Sequence, residues 1–108
     1  MEVFRLSKSF PADERYSLTD QIRRSSRSVA ANIAEGFRKR RYEAVFINKH
    51  SDSDAEATET QVWLDFARDC GYIDTQIRDN LTSKLEEVGR MLGSMIANPA
   101  PFLIQSSR

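Results

Sequence analysis

Hydrophobic side chains recur at helical spacing along most of the chain. The clearest run has successive separations of three or four positions and consists of Ile77, Leu81, Leu85, Val88, Leu92 and Ile96. This spacing places all six side chains on one face of a helix. A second stripe of the same kind consists of Leu18, Ile22, Val29 and Ile33, with Ser25 and Ser26 as its small members. Both patterns predict amphipathic helices that bury one face against partner helices.

Proline and glycine residues divide this pattern into four predicted helices. We expect the first over residues 2–9, the second from about 13–17 to Glu35, the third from Glu43 to Cys70, and the fourth from 74–75 to 98. The first ends at Phe10-Pro11, because the residue before a proline avoids the helical conformation. Gly36 and Gly71 follow the second and third, where a left-handed glycine commonly ends a helix.

Short connections between long helices predict an all-α fold, an antiparallel up-down four-helix bundle with a short first helix. The bundle is expected to span residues 1–98, followed by a C-terminal tail over residues 99–108. The predicted core places Leu81, Leu85, Val88 and Leu92 of the fourth helix against Ile22, Val29, Ile33 and Leu64. A first helix of about two turns leaves apolar surface uncovered on the other helices, and such patches are unusual on monomers. Another subunit or the tail should cover this surface.

The net charge of zero hides a strong segregation of charge. Residues 21–41 carry a net charge of +6, and residues 42–87 carry a net charge of −7. The basic residues of the first segment are Arg23, Arg24, Arg27, Arg38, Lys39, Arg40 and Arg41. Arginine forms bidentate contacts with phosphate and with carboxylate, so two partners compete for this segment. One is RNA or DNA, and the other is the acidic third helix of the same chain or of another subunit.

Three further residues near the predicted end of the second helix form a candidate structural motif: Asn32, Glu35 and Gly36. A carboxylate near a helix C-terminus is electrostatically unfavourable, so Glu35 should have a cationic partner. We expect an arginine of the same segment in this role, either within the chain or across a subunit contact. The alternative is that Asn32 caps the helix end and Glu35 lies in solvent.

The sequence offers little for catalysis or cofactor binding. His50 is the single histidine, whereas a di-metal site in a helical bundle needs a Glu-x-x-His motif from each of two helices. No nucleotide-binding fingerprint or catalytic triad pattern occurs, and one cysteine excludes an intramolecular disulfide. We therefore expect a non-enzymatic protein without metal, cofactor or small-molecule substrate. No apolar run approaches the ~18 residues that span a bilayer, so we expect a cytoplasmic protein without a membrane partner.

The chain resembles a family of small bacterial four-helix-bundle proteins encoded within 23S rRNA intervening sequences. The most specific match is Asn32-Ile33-Ala34-Glu35-Gly36 with its upstream arginines, and the other matching residues are Phe10-Pro11, Glu14, Tyr16, Leu18, Gln21, Ser28, Glu59, Leu64, Ala67 and Gly71-Tyr72-Ile73. The chain departs from the family in two places. The family's first helix usually has about two more turns than residues 2–9 allow, and the family usually has a Gly-Ser pair where this chain has Ala55-Glu56.

This resemblance implies a ring of about five subunits. It also implies kinship with the accessory protein of diversity-generating retroelements, which assists reverse transcription. The sequence therefore predicts an oligomeric adaptor that binds RNA or DNA through its arginine-rich segment. The alternative is a protein-protein scaffold whose charged residues serve subunit assembly only.

Overall fold

The computed structural model describes residues 2–104, which form four α-helices and no β-strand. The helices are α1 (Glu2–Ser7), α2 (Leu18–Arg38), α3 (Glu43–Asp69) and α4 (Thr75–Ala97). Single 3-10 turns cover Ala12–Glu14 and Ala100–Phe102. None of these helices combines the length and apolar character needed to cross a membrane. The predicted all-α fold with a short first helix is confirmed, and the last four residues of the predicted tail, 105–108, lie outside the described residues.

Local signals end α3 and begin α4 where the sequence predicts. Gly71 adopts a φ of 78°, and the amide of Tyr72 donates to the carbonyl of Ala67 at 2.9 Å. This is the left-handed termination that favours glycine. At the start of α4, the Asp74 carboxylate accepts a hydrogen bond from the Ile77 amide at 2.7 Å, which satisfies one of the free N–H groups of the first turn.

The prediction that Gly36 ends the second helix is wrong. Helix α2 continues through Gly36 to Arg38, and the Lys39 amide still donates to the Glu35 carbonyl at 3.0 Å. Gly36 is buried, and a Cβ atom at this position would lie 2.5 Å from Cε1 of His50 on α3. Glycine is therefore required by the close approach of the two helices and not by a left-handed backbone.

Helix α3 is the centre of the bundle, because both α2 and α4 pack along it. Helix α1 packs against the first half of α2, and α2 and α4 make few contacts with each other. One core cluster connects all four helices and their loops: Val3, Phe10, Leu18, Ile22, Leu64, Ala67, Ile73 and Leu81. The resulting particle is elongated, measuring 56 × 24 × 17 Å.

An apolar groove of about 350 Å³ lies between α2 and α4, and we call it the α2–α4 groove. Val29, Ala30, Ile33, Leu85 and Val88 line it, together with residues at the start of α1. The prediction that Ile33, Leu85 and Val88 are buried is therefore wrong, since all three are half-buried. The six residues of α1 are too few to extend over the second half of α2, which lines the groove. The other predicted core residues are buried: Ile22, Val29, Leu64, Leu81 and Leu92.

The described part of the tail does not cover the α2–α4 groove. Instead, the Phe102 ring packs 6.3 Å from the ring centroids of Phe37 and Phe46. The Ile104 amide donates to the Arg40 carbonyl at 3.2 Å. Residues 99–104 therefore pack against the connection between α2 and α3, and the groove remains open within residues 2–104.

Candidate nucleic-acid interface

Arg38 is the last residue of α2, and Lys39, Arg40 and Arg41 follow it in the link to α3; we call these four consecutive basic residues the basic connector. The Tyr42 amide closes a turn by donating to the Lys39 carbonyl at 2.8 Å. Arg38, Lys39 and Arg41 are exposed, and Arg40 is half-buried. Within residues 2–104, no connector side chain forms an ion pair with a carboxylate. The connector therefore carries four charges that the described part of the chain does not neutralise.

An aromatic cluster beneath the basic connector holds it in place. The Phe37 ring meets the Phe46 ring edge-on at 5.5 Å, and Phe46 and His50 are fully buried. The His50 Nδ1 donates to the Phe46 carbonyl at 2.8 Å, and the guanidinium of Arg40 donates to the Phe37 carbonyl at 2.9 Å. Sequence reasoning missed this support, although the four-residue spacing of Phe46 and His50 was a usable signal.

Arg24 is separated from the connector and pairs with acidic residues of α3. Its guanidinium donates to the Glu56 carboxylate at 3.0 Å and also contacts Glu59. The hydrogen bond to Glu56 raises the pKa of Arg24 above its ordinary value, and the contact with Glu59 adds to this effect. Burial alone would raise the pKa of Glu56, but the hydrogen bond and positive charge of Arg24 help to hold that pKa below its ordinary value. Arg24 therefore joins α2 to α3.

Arg23 and Arg27 lie together beside α1. Their guanidinium carbons lie 4.4 and 5.2 Å from the centroid of the Phe4 ring, within the range of cation–π attraction. Arg27 and Arg38 are eleven positions apart on α2, which corresponds to about 16 Å along a helix axis. The seven predicted basic residues therefore divide into the basic connector, the pair beside α1, and the structurally engaged Arg24.

The motif residues Asn32 and Glu35 have partners other than those predicted. Asn32 lies inside α2, where its side-chain amide donates to the Ser28 carbonyl at 2.9 Å, so it does not cap the helix end. The Glu35 carboxylate pairs with Lys49 of α3 at 2.9 Å and not with an arginine of its own segment. This hydrogen bond raises the pKa of Lys49. Glu35 and Gly36 therefore serve the α2–α3 contact, whereas the hydrogen bond of Asn32 lies within α2.

Comparison with known proteins identifies the family. The family model described as 23S rRNA-intervening sequence protein matches residues 1–94. A solved structure of a protein with unknown function, from the S23 ribosomal protein family of Bacteroides thetaiotaomicron, is similar with a TM-score of 0.78. The two sequences are 30% identical, and 88% of each chain is covered. A search of curated proteins finds no match. The predicted resemblance is confirmed, and the chain belongs to the 23S rRNA-intervening sequence protein family.

Proposed function

We propose that this protein is an oligomeric adaptor that binds the backbone of RNA or DNA through its basic connector. The observation that carries the proposal is the placement of four consecutive cations at a helix connection, with no acidic partner among residues 2–104. Phosphate groups are the usual partners of such exposed arginines.

The connector would recognise backbone charge and shape more than base sequence. Its side chains are suited to phosphate contacts, which position a protein on nucleic acid but carry no sequence information. The nearby Phe46 ring is fully buried and unavailable for stacking on bases. Two aromatic side chains beside the connector are exposed, Tyr42 at 57% and Phe102 at 38%, and stacking of bases on such rings tolerates any base. Binding should therefore vary little among unrelated sequences.

Oligomerisation through the α2–α4 groove would strengthen binding of a long nucleic acid, because several connectors could contact it at once. The groove exposes apolar side chains of two helices, and a second copy of the chain is the occupant that the family resemblance favours. Linked weak sites bind a long polyanion more tightly than one site does, because the second contact becomes intramolecular. A ring of about five subunits would present several connectors to one nucleic acid.

A protein-protein scaffold is the alternative function. The ion pairs of Arg24 with Glu56 and Glu59 favour it, because they use a predicted nucleic-acid ligand for packing within the chain. In this alternative, the basic connector would meet acidic side chains of a neighbouring subunit. In both functions, the α2–α4 groove would hold the subunits together.

Fluorescence-anisotropy titration with a structured RNA and a duplex DNA, each in unrelated sequences, distinguishes these functions. Wild-type affinity should fall with salt, with a slope near −0.9 for each duplex phosphate neutralised. Replacing Arg38, Arg40 and Arg41 with Ala should weaken binding equally across sequences and reduce the slope. The matched control removes three positive charges elsewhere, at Arg5, Arg68 and Arg90, and should retain most of the affinity. Absence of wild-type binding at about 50 mM salt would favour the scaffold.

A further inference from the structure

A second basic site lies at the other end of α2 from the basic connector, at the loop that joins α1 to α2. A cleft of about 340 Å³ opens there, and its lining includes Lys8, Arg15 and Arg23. The hydroxyl-bearing residues Ser7 and Thr19 also line it, and they are only 2% and 8% exposed. Three cations and two buried hydroxyl-bearing residues therefore surround one cleft.

No carboxylate neutralises this cleft. None of its lining residues is acidic, and within residues 2–104 none of the three cations forms an ion pair. Glu14, the nearest acid in sequence to Arg15, forms no ion pair with it and accepts hydrogen bonds from Ser17, the Leu18 amide and Tyr72. Three like charges around a cleft repel one another, and a bound anion would relieve this repulsion.

Arg23 is held in position before any ligand arrives. The Ser7 hydroxyl accepts a hydrogen bond from the Arg23 Nε at 2.6 Å and donates one to the Phe4 carbonyl at 2.7 Å. The Phe4 ring supports the guanidinium from 4.4 Å. Because these contacts use Nε and the face of the group, the two terminal nitrogens remain for a bidentate ligand. Such preorganisation lowers the entropy lost on binding.

We propose that this cleft binds a phosphate dianion, either inorganic phosphate or a terminal phosphate monoester. Arginine matches two oxygens of a phosphate group, lysine supplies a compact charge, and the Thr19 hydroxyl can donate to a further oxygen, since the Ser7 hydroxyl already donates to Phe4. The cleft is a local recess of about 340 Å³ lined by three basic residues, whereas the basic connector is an open turn suited to a continuous backbone. This inference does not depend on nucleic-acid binding by the connector.

Phosphorus-31 NMR of inorganic phosphate, titrated with the full chain at constant ionic strength, tests the proposal. Broadening of the phosphate signal should saturate with wild-type protein, and equimolar chloride should not compete. The double variant Lys8→Ala/Arg15→Ala removes two exposed side chains, so it should keep its helix content by circular dichroism. Its affinity for phosphate should be at least about tenfold weaker, or about 1.4 kcal/mol. The matched control Arg38→Ala/Arg41→Ala loses the same charge at the connector and should bind phosphate normally.

Competition identifies the source of the phosphate group. A trinucleotide with a 5′-phosphate that displaces inorganic phosphate better than its 5′-hydroxyl form would indicate a nucleic-acid end. Equal, weak displacement by both trinucleotides would indicate free phosphate, and either result supports the cleft. Equal phosphate affinity in the Lys8→Ala/Arg15→Ala variant, or no saturable binding to the wild type, would overturn the inference. If the wild type binds phosphate but does not bind long RNA or DNA, the proposed nucleic-acid function is rejected and the inference about the cleft stands.

Discussion

Gly36 fixes the distance between α2 and α3, and its replacement tests this role directly. In Gly36→Ala the new methyl group would overlap the ring of His50, which is fully buried and packed against Phe37 and Phe46. We expect a loss of about 1–3 kcal/mol in the free energy of unfolding, measured by urea denaturation.

Gly93→Ala is the matched control for this prediction. Gly93 is exposed in α4, and a Cβ atom there would meet nothing within 4 Å. Since glycine is the poorer helix former, this variant should gain about 0.5–1 kcal/mol. Equal stability changes in the two variants would mean that α2 and α3 are not in close contact at Gly36.

These residue contacts also show why the site was harder to predict than the helices. A glycine at a helix end and a glycine under a neighbouring ring look identical in a single sequence. The difference at Gly36 depends on His50, a residue of the next helix. Likewise, the sequence does not distinguish Arg24 from the other residues of the basic segment, because its partners Glu56 and Glu59 lie more than 30 positions away.

The Tyr72 hydroxyl should lose its proton at an unusually high pH. Its hydroxyl donates to the Glu14 carboxylate at 2.7 Å, and this hydrogen bond is the main reason that its pKa rises from 10.0 to about 12. Because the folded pKa exceeds the unfolded value, the stabilisation is complete below pH 10.0 and is lost as pH rises towards 12.

Absorbance titration near 295 nm of the wild type and of Tyr72→Phe measures this ionisation as a difference curve. Glu14→Gln should move the midpoint of that curve towards the ordinary tyrosine value, since it removes the charged acceptor. A wild-type difference curve already centred near pH 10.0 would contradict the hydrogen bond to Glu14.

At the scale of the helices, local signals predicted α3 and α4 to within about a residue or two. Gly71 and Asp74 act on their own backbone neighbours, so a single sequence contains the information needed. The predicted burial of Leu85 and Val88 failed for a different reason. Periodicity identifies the apolar face of a helix, but the length of α1 determines how much of that face is covered within the chain.

Leu92 should be the most costly leucine to truncate on α4. It is 1% exposed, so Leu92→Ala removes a fully packed side chain and should cost about 2–5 kcal/mol of unfolding free energy. Its neighbour Met91 is 58% exposed, and Met91→Ala should change stability by less than about 0.5 kcal/mol. Urea denaturation of both variants at one protein concentration makes the comparison. A similar, small effect at both positions would mean that the face of α4 is assigned incorrectly.

For the whole molecule, the decisive feature is the separation of charged and apolar surfaces. The basic connector lies between α2 and α3, the cleft lined by Lys8, Arg15 and Arg23 lies at the start of α2, and the α2–α4 groove is lined mostly by apolar side chains. The zero net charge follows from this division along the chain, because the net charge of +6 over residues 21–41 is offset mainly by the net charge of −7 over residues 42–87.

Assembly through the α2–α4 groove is testable with two adjacent alanines of α2. Ala30 lines the groove and Ala31 does not, and both are exposed in the single chain, so Glu should be tolerated at either position. Light scattering coupled to size exclusion, at micromolar concentration, should give an oligomer for the wild type and for Ala31→Glu. Ala30→Glu should give a folded monomer, because the contact would bury a new carboxylate, and Lys84, the basic residue of the groove lining, already pairs with Glu2. A monodisperse wild-type monomer would contradict oligomerisation itself. An Ala30→Glu variant that still assembles would place the subunit contact on another face of the bundle.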